Sequence, residues 1–109
     1  MRELPNITER SELKSILKNG QITVIKASAT WCRPCKMIIP LVNELLEQMP
    51  ENVKILHLDI DKGKDLSSFL KINAVPTFIS YKGFEKTDIL VGGGEDAVRV
   101  FFKKVMNYS

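Results

Sequence analysis

Two cysteines, Cys32 and Cys35, are the only thiols among 109 residues, and two positions separate them. A bridge between such close neighbours closes too small a loop to restrain the unfolded chain much, so a structural staple is not expected. The same spacing lets the sulfurs meet within about one helical turn and interconvert between dithiol and disulfide without large backbone motion. They lie in Trp31-Cys32-Arg33-Pro34-Cys35-Lys36, between a β-branched run and a long helical pattern. At such a junction the free backbone N–H groups and the helix dipole favour negative charge, so the Cys32 thiolate is expected to be stabilised. Pro34 fixes φ in the first turn, where its absent N–H costs nothing, and Arg33 adds a cation beside the thiolate. The expected chemistry is attack of Cys32 on a substrate disulfide, followed by resolution of the mixed disulfide by Cys35. Cys35, further into the helix, is expected to be less exposed and harder to ionise. A zinc site asks for about four ligands, whereas the chain offers two cysteines and a lone His57. No metal is therefore expected in a monomer, while a cluster shared across a dimer stays open.

The elements that must carry this pair are legible in the periodicity. Apolar Leu13, Ile16 and Leu17 predict a helix over 8–19, capped by Thr8 or Asn6 and ending at Asn19-Gly20. Ile22 to Ser28 reads as a buried strand with Lys26 in its middle. Met37, Ile38, Leu41, Val42, Leu45 and Leu46 predict one long helix from Arg33 to Met49, kinked at Pro40. Val53 to Asp59 reads as a second buried strand, and Asp65 is placed as the cap of a short helix reaching Lys71. Thr77 to Tyr81 and Thr87 to Val91 flank Lys82-Gly83-Phe84-Glu85 as a hairpin. Beyond Gly92-Gly93-Gly94, a helix from Glu95 to Asn107 turns Val98, Phe101, Phe102 and Val105 inward. Leu4 is a candidate for a short edge strand, limited by Pro5. The order β-α-β-α-β-α-β-β-α implies an α/β fold, a mixed sheet of four to five strands flanked by four helices.

Composition narrows the partners. A chain this long, with 44% hydrophobic and 27% charged residues, is sized for one domain over 1–109. Sixteen basic against 13 acidic residues are scattered rather than striped, so nucleic acid is not the expected partner. No segment approaches the ~20 apolar residues of a spanning helix, and no signal-like stretch opens the chain, which makes a cytoplasmic protein without a membrane role the expectation. Thiols there are kept reduced, favouring a redox role for the pair.

Over nearly its whole length the sequence resembles the thioredoxin family. Ala29-Thr30-Trp31-Cys32-Arg33-Pro34-Cys35-Lys36 is similar to the family's active-site segment, with Arg33 in place of the usual glycine. Pro40, Asp59, Asp61, Val75-Pro76-Thr77 and Val91-Gly92 match further family positions in the same order. The resemblance implies a thioredoxin fold with a cis Pro76 beside the sulfurs, although the residues alone also admit an ordinary trans proline at a strand start. A cis Pro76 without an N–H would leave backbone groups of Val75 free to pair with an extended substrate segment. Trp31, Arg33, Pro34, Ala74, Val75 and Gly92 would then rim Cys32, with packing as the other reading for Trp31. The implied activity is protein-disulfide reduction with no bound cofactor, by a monomer that receives electrons from an upstream thioredoxin-reductase-like donor and passes them to disulfides of client proteins.

Lys26 departs from the family, which usually has a buried aspartate there to assist proton transfer at the inner cysteine. An ammonium on a central strand is expensive unless paired or neutralised, and Asp59 or His57 on the next strand is the candidate partner. Charged, Lys26 and Arg33 would favour thiolates and make the protein a weaker reductant; neutral, Lys26 could itself accept the proton. Snorkelling to water is the third reading. His57 reads as a strand-surface residue. The alternatives to a reductase are a binding module of this fold with weak turnover, and a more oxidising oxidant or isomerase.

Overall fold

The computed structural model describes residues 4–108. Its elements in chain order are α1 (Arg10–Leu17), β1 (Ile22–Ser28), α2 (Arg33–Met37), α3 (Ile39–Gln48), β2 (Lys54–Asp59), α4 (Lys64–Phe69), β3 (Thr77–Lys82), β4 (Glu85–Val91) and α5 (Glu95–Tyr108). The strands form one sheet in the order β2-β1-β3-β4. β1 and β2 run parallel, while β3 is antiparallel to both β1 and β4. The mixed sheet is the expected one, with β1 interior.

Helices cover both faces because consecutive strand residues point to opposite sides. On one side Ile22, Val24, Ile55 and Phe78 pack against Val42 and Leu46 of α3 and Val98, Phe101, Phe102 and Val105 of α5. Phe78, Phe101 and Phe102 form a mutually tilted cluster with centroids 5.4–5.8 Å apart, a spacing that suits their quadrupoles. On the other side Ile25, Ala27, Leu56 and Leu58 meet Leu13 and Leu17 of α1 and Leu66 and Leu70 of α4.

Several expectations need correction. The long helix over Arg33–Met49 is two helices, since Pro40 has no N–H to continue the ladder and the chain breaks at Ile38. Five helices rather than four therefore flank four strands among the described residues. The edge strand at Leu4 shrinks to one parallel bridge between Asn6 and His57, held by the Ile7 N–H on the His57 carbonyl and the His57 N–H on the Pro5 carbonyl. Neither Thr8 nor Asn6 caps α1. Glu9 stands at that position, and Glu12 reaches back to accept the N–H groups of Thr8 and Glu9. Asp65 sits in the first turn of α4, whose cap position is Gly63, and its carboxylate accepts the Arg10 N–H of α1 at 3.0 Å. It ties two helices together instead of starting one.

Candidate functional site

Where β1 ends and α2 begins, the chain leaves the sheet and turns back over it. Cys32 stands at the cap position of α2, and Cys32 and Cys35 are joined as a disulfide with Cα atoms 5.3 Å apart. The Cys35 N–H donates to Cys32 Sγ at 3.2 Å. The same donor would stabilise a Cys32 thiolate, because a charged acceptor strengthens the bond it already makes. With α2 only five residues long, this one N–H, rather than the dipole of a long helix, does the work expected of the junction. The sequence expectation that Cys35 is the less exposed thiol does not hold in the oxidised pair, where each residue is 3% exposed. The two sulfurs cover one another among Ala29, Ile60 and Val75.

The Val75–Pro76 peptide is cis. The Pro76 carbonyl accepts the Gly92 N–H at 2.9 Å, and Thr77 Oγ1 donates to the Ala74 carbonyl at 2.7 Å, so the loop is fixed on both sides of the proline. Among the described residues nothing hydrogen-bonds to the backbone of Val75. Arg33, Pro34 and Ala74 are exposed, and Val75 and Gly92 are half-buried. Trp31 is 65% exposed and is therefore no core residue. Its indole Nε1 donates to Asp61 at 2.8 Å, which fixes the ring. Gly93 was not singled out from sequence. A Cβ there would lie 3.4 Å from Pro76 Cγ and 3.5 Å from the Pro34 carbonyl, so the middle residue of the glycine run is the one on which the two active-site prolines close.

Behind Cys35 an open cleft of about 220 Å³ is lined by Lys26, Ser28, Thr30, Lys36, His57 and Asp59, among others. The parallel register sets Lys26 beside His57 and Ser28 beside Asp59. Lys26 is only 8% exposed, so it does not snorkel out. Neither proposed partner neutralises it: no ion pair to Lys26 occurs among the described residues, and Asp59 Oδ1 is taken by the N–H groups of Asp61 and Lys62. Burial holds the Lys26 amine below its ordinary pKa. His57 is half-buried rather than a strand-surface residue. It bonds Ser28 Oγ through Nε2 at 2.6 Å and Asn6 Oδ1 through Nδ1 at 2.8 Å. Burial and then the charge of Lys26 push the imidazole below its usual value, with Asp59 pulling the other way. No group of three or more His, Cys, Asp or Glu suited to a metal occurs among the described residues, and no helix there is long and apolar enough to cross a membrane.

A family model for thioredoxin matches residues 5–104. A thioredoxin of Coprinus comatus is 34% identical over 90% of this chain and 93% of its own length. One from Ophiophagus hannah is 32% identical over 92% of this chain and 96% of its own. The oxidised form of mitochondrial thioredoxin 3 from Saccharomyces cerevisiae superposes with a TM-score of 0.84 at 28% identity, covering 93% of this chain and 94% of that one.

Proposed function

The chain belongs to the thioredoxin family, and from that premise we propose how the thiol pair divides its labour. The protein is an oxidoreductase that reduces protein disulfides through a dithiol–disulfide cycle of Cys32 and Cys35. Cys32 attacks the client disulfide and Cys35 resolves the mixed disulfide, expelling the reduced client. The observation that carries this assignment is the Cys35 N–H on Cys32 Sγ, which favours charge on the outer sulfur and leaves the inner one facing the cleft.

A client segment docks in extended form along the unpaired backbone of Val75, beside Pro76, on a rim made by Trp31, Arg33, Pro34, Ala74 and Gly92. Lys26 sets how readily electrons are given up: an unpaired buried cation near the sulfurs favours the reduced thiolate form and makes the protein a weaker reductant than an aspartate would. The chain acts as a monomeric single domain in the cytoplasm, on disulfides of client proteins, with a thioredoxin-reductase-type donor upstream.

Insulin reduction by wild type, Cys32→Ser and Cys35→Ser tests the assignment. Both variants are expected to lose turnover, and Cys35→Ser is expected to trap a mixed disulfide through Cys32. Inactivity of the fully reduced wild type, or trapping through Cys35 instead, would overturn it.

A further inference from the structure

If Cys35 is the resolving thiol, its proton must leave before it can attack. An ordinary thiol has a pKa near 8.5, and Cys35 sits in an apolar cluster at 3% exposure, so a positioned acceptor would speed the step. Among the described residues Asp59 is the one carboxylate lining the cleft, and it is already held by backbone N–H groups. A neutral imidazole is available instead. The Asn6 carboxamide oxygen can only accept, so His57 Nδ1 carries the proton and Nε2 presents a lone pair to the Ser28 hydroxyl. Ser28 and His57 open on the same cleft as Cys35, and about 220 Å³ is room for bridging water.

We propose that Ser28 and His57 form the proton path of Cys35, with Asn6 positioning the imidazole as the acceptor. The inference rests on the assignment of Cys35 as resolving thiol. In the mixed disulfide the Cys35 proton passes through cleft water to Ser28 Oγ while the Ser28 proton moves to His57 Nε2, giving an imidazolium. The freed electron pair on Cys35 forms the bond to Cys32 Sγ. The bond between Cys32 and the client sulfur breaks, the client leaves as a thiolate, and solvent takes the proton from the imidazolium. The client gains two electrons and the protein pair loses them. The charged groups facing His57 are Lys26 from β1, Asp59 from its own strand, Lys36 from α2 and Lys62 from the loop after β2. Lys26 and burial keep the imidazole neutral at neutral pH, when an acceptor is needed.

Reduced protein mixed with excess 5,5′-dithiobis(2-nitrobenzoate) in a stopped-flow instrument separates the steps, since attack by Cys32 releases one chromophore and resolution by Cys35 a second. Across pH 5–9, wild type is expected to show an acid-side inflection in the second phase. His57→Gln should slow that phase about tenfold or more at pH 7 and remove the inflection, leaving the first phase within about twofold. Ser28→Ala, a smaller change in the same path, should act in the same direction. A second phase that keeps its rate and pH profile in both variants, or a loss shared equally by both phases, would overturn the proposal. Failure of the underlying assignment looks different: the fast release of the first chromophore would then survive in Cys32→Ser and be lost in Cys35→Ser.

Discussion

β1 and β2 show opposite chemistry on their two sides. Toward α1 and α4 they present Ile25, Ala27, Leu56 and Leu58, all completely buried among other apolar side chains. Toward α3 and α5 they begin alike, with Ile22, Val24 and Ile55, but end in Lys26, Ser28, His57 and Asp59. Alternation puts these residues one position apart along the same strands, so the change is a property of side chains and not of backbone. The apolar side lowers the free energy of the fold. The polar end of the other side, at the carboxyl ends of two parallel strands where α/β sheets tend to place their chemistry, gives up part of that gain to surround a thiol with groups that can hold charge and protons.

The comparison breaks most visibly if the apolar side proves dispensable. Leu58→Ala removes a fully buried side chain and is expected to cost about 2–5 kcal/mol in urea unfolding, while the folded protein keeps its thiol chemistry; a cost below about 1 kcal/mol would contradict the contrast. On the polar side the sign reverses. Lys26→Met replaces an unpaired buried cation and is expected to stabilise by on the order of 1 kcal/mol. Because burial depresses the folded-state pKa of Lys26, the cost to wild type is complete below that value and fades as pH rises from it toward the ordinary lysine range, so the gap between the two proteins should close at alkaline pH. Equilibration against glutathione should show a more reducing potential for Lys26→Met and a larger shift for Lys26→Asp; unchanged potentials would remove Lys26 from the redox site.

A smaller effect belongs to His57. Its folded-state pKa is depressed, first by burial and then by Lys26, so the unfolded chain binds the extra proton over the window from that value up to about 6.5. Wild type should lose stability as pH falls through this window, and His57→Gln should not. Parallel acid titrations of unfolding for the two proteins measure the difference, and coincident curves would mean that the imidazole is unperturbed.

What sequence conveyed and what it missed divide along the same line. β1 was legible to its end residues, since a β-branched run bounded by Gly20 and the Trp31-Cys32 turn is a local pattern, and the inward face of α5 followed from its 3.6-residue period. Pro40 announced a kink where the chain breaks into two helices, and the family resemblance implied the cis Pro76. Asp65 was read as the cap of its own helix because its actual partner, the Arg10 N–H, is 55 residues away. The Asn6–His57 contact spans 51 residues and leaves no periodic trace. Lys26 stood out as a charge in an apolar strand, yet whether Asp59 would neutralise it depended on backbone N–H groups of Asp61 and Lys62 that compete for the same oxygen. Ser28 could have been found by extending the alternation from Lys26 by two residues. Periodicity reports which face a side chain takes, while pairing across the fold decides what it meets there.

Thr23 offers the finest test, because it is the one polar intrusion on the apolar side of β1. It shares that side with Ile25 and Ala27 by alternation, is fully buried, and its hydroxyl oxygen Oγ1 has no hydrogen-bond partner among the described residues. A buried hydroxyl left unmade costs free energy that no contact returns, and valine has nearly the same shape without that demand. Thr23→Val is therefore expected to stabilise the protein by a few tenths to about 1 kcal/mol, measured as a raised urea midpoint at unchanged slope, with both thiol phases unaltered because the residue faces away from the cleft. Ser28→Val, one β1 position from Ala27 but on the other side, should instead slow resolution, since its hydroxyl is bonded to His57. If Thr23→Val destabilised the fold, a polar group on the apolar side would be contributing to it, and the two sides would differ less than their residues suggest.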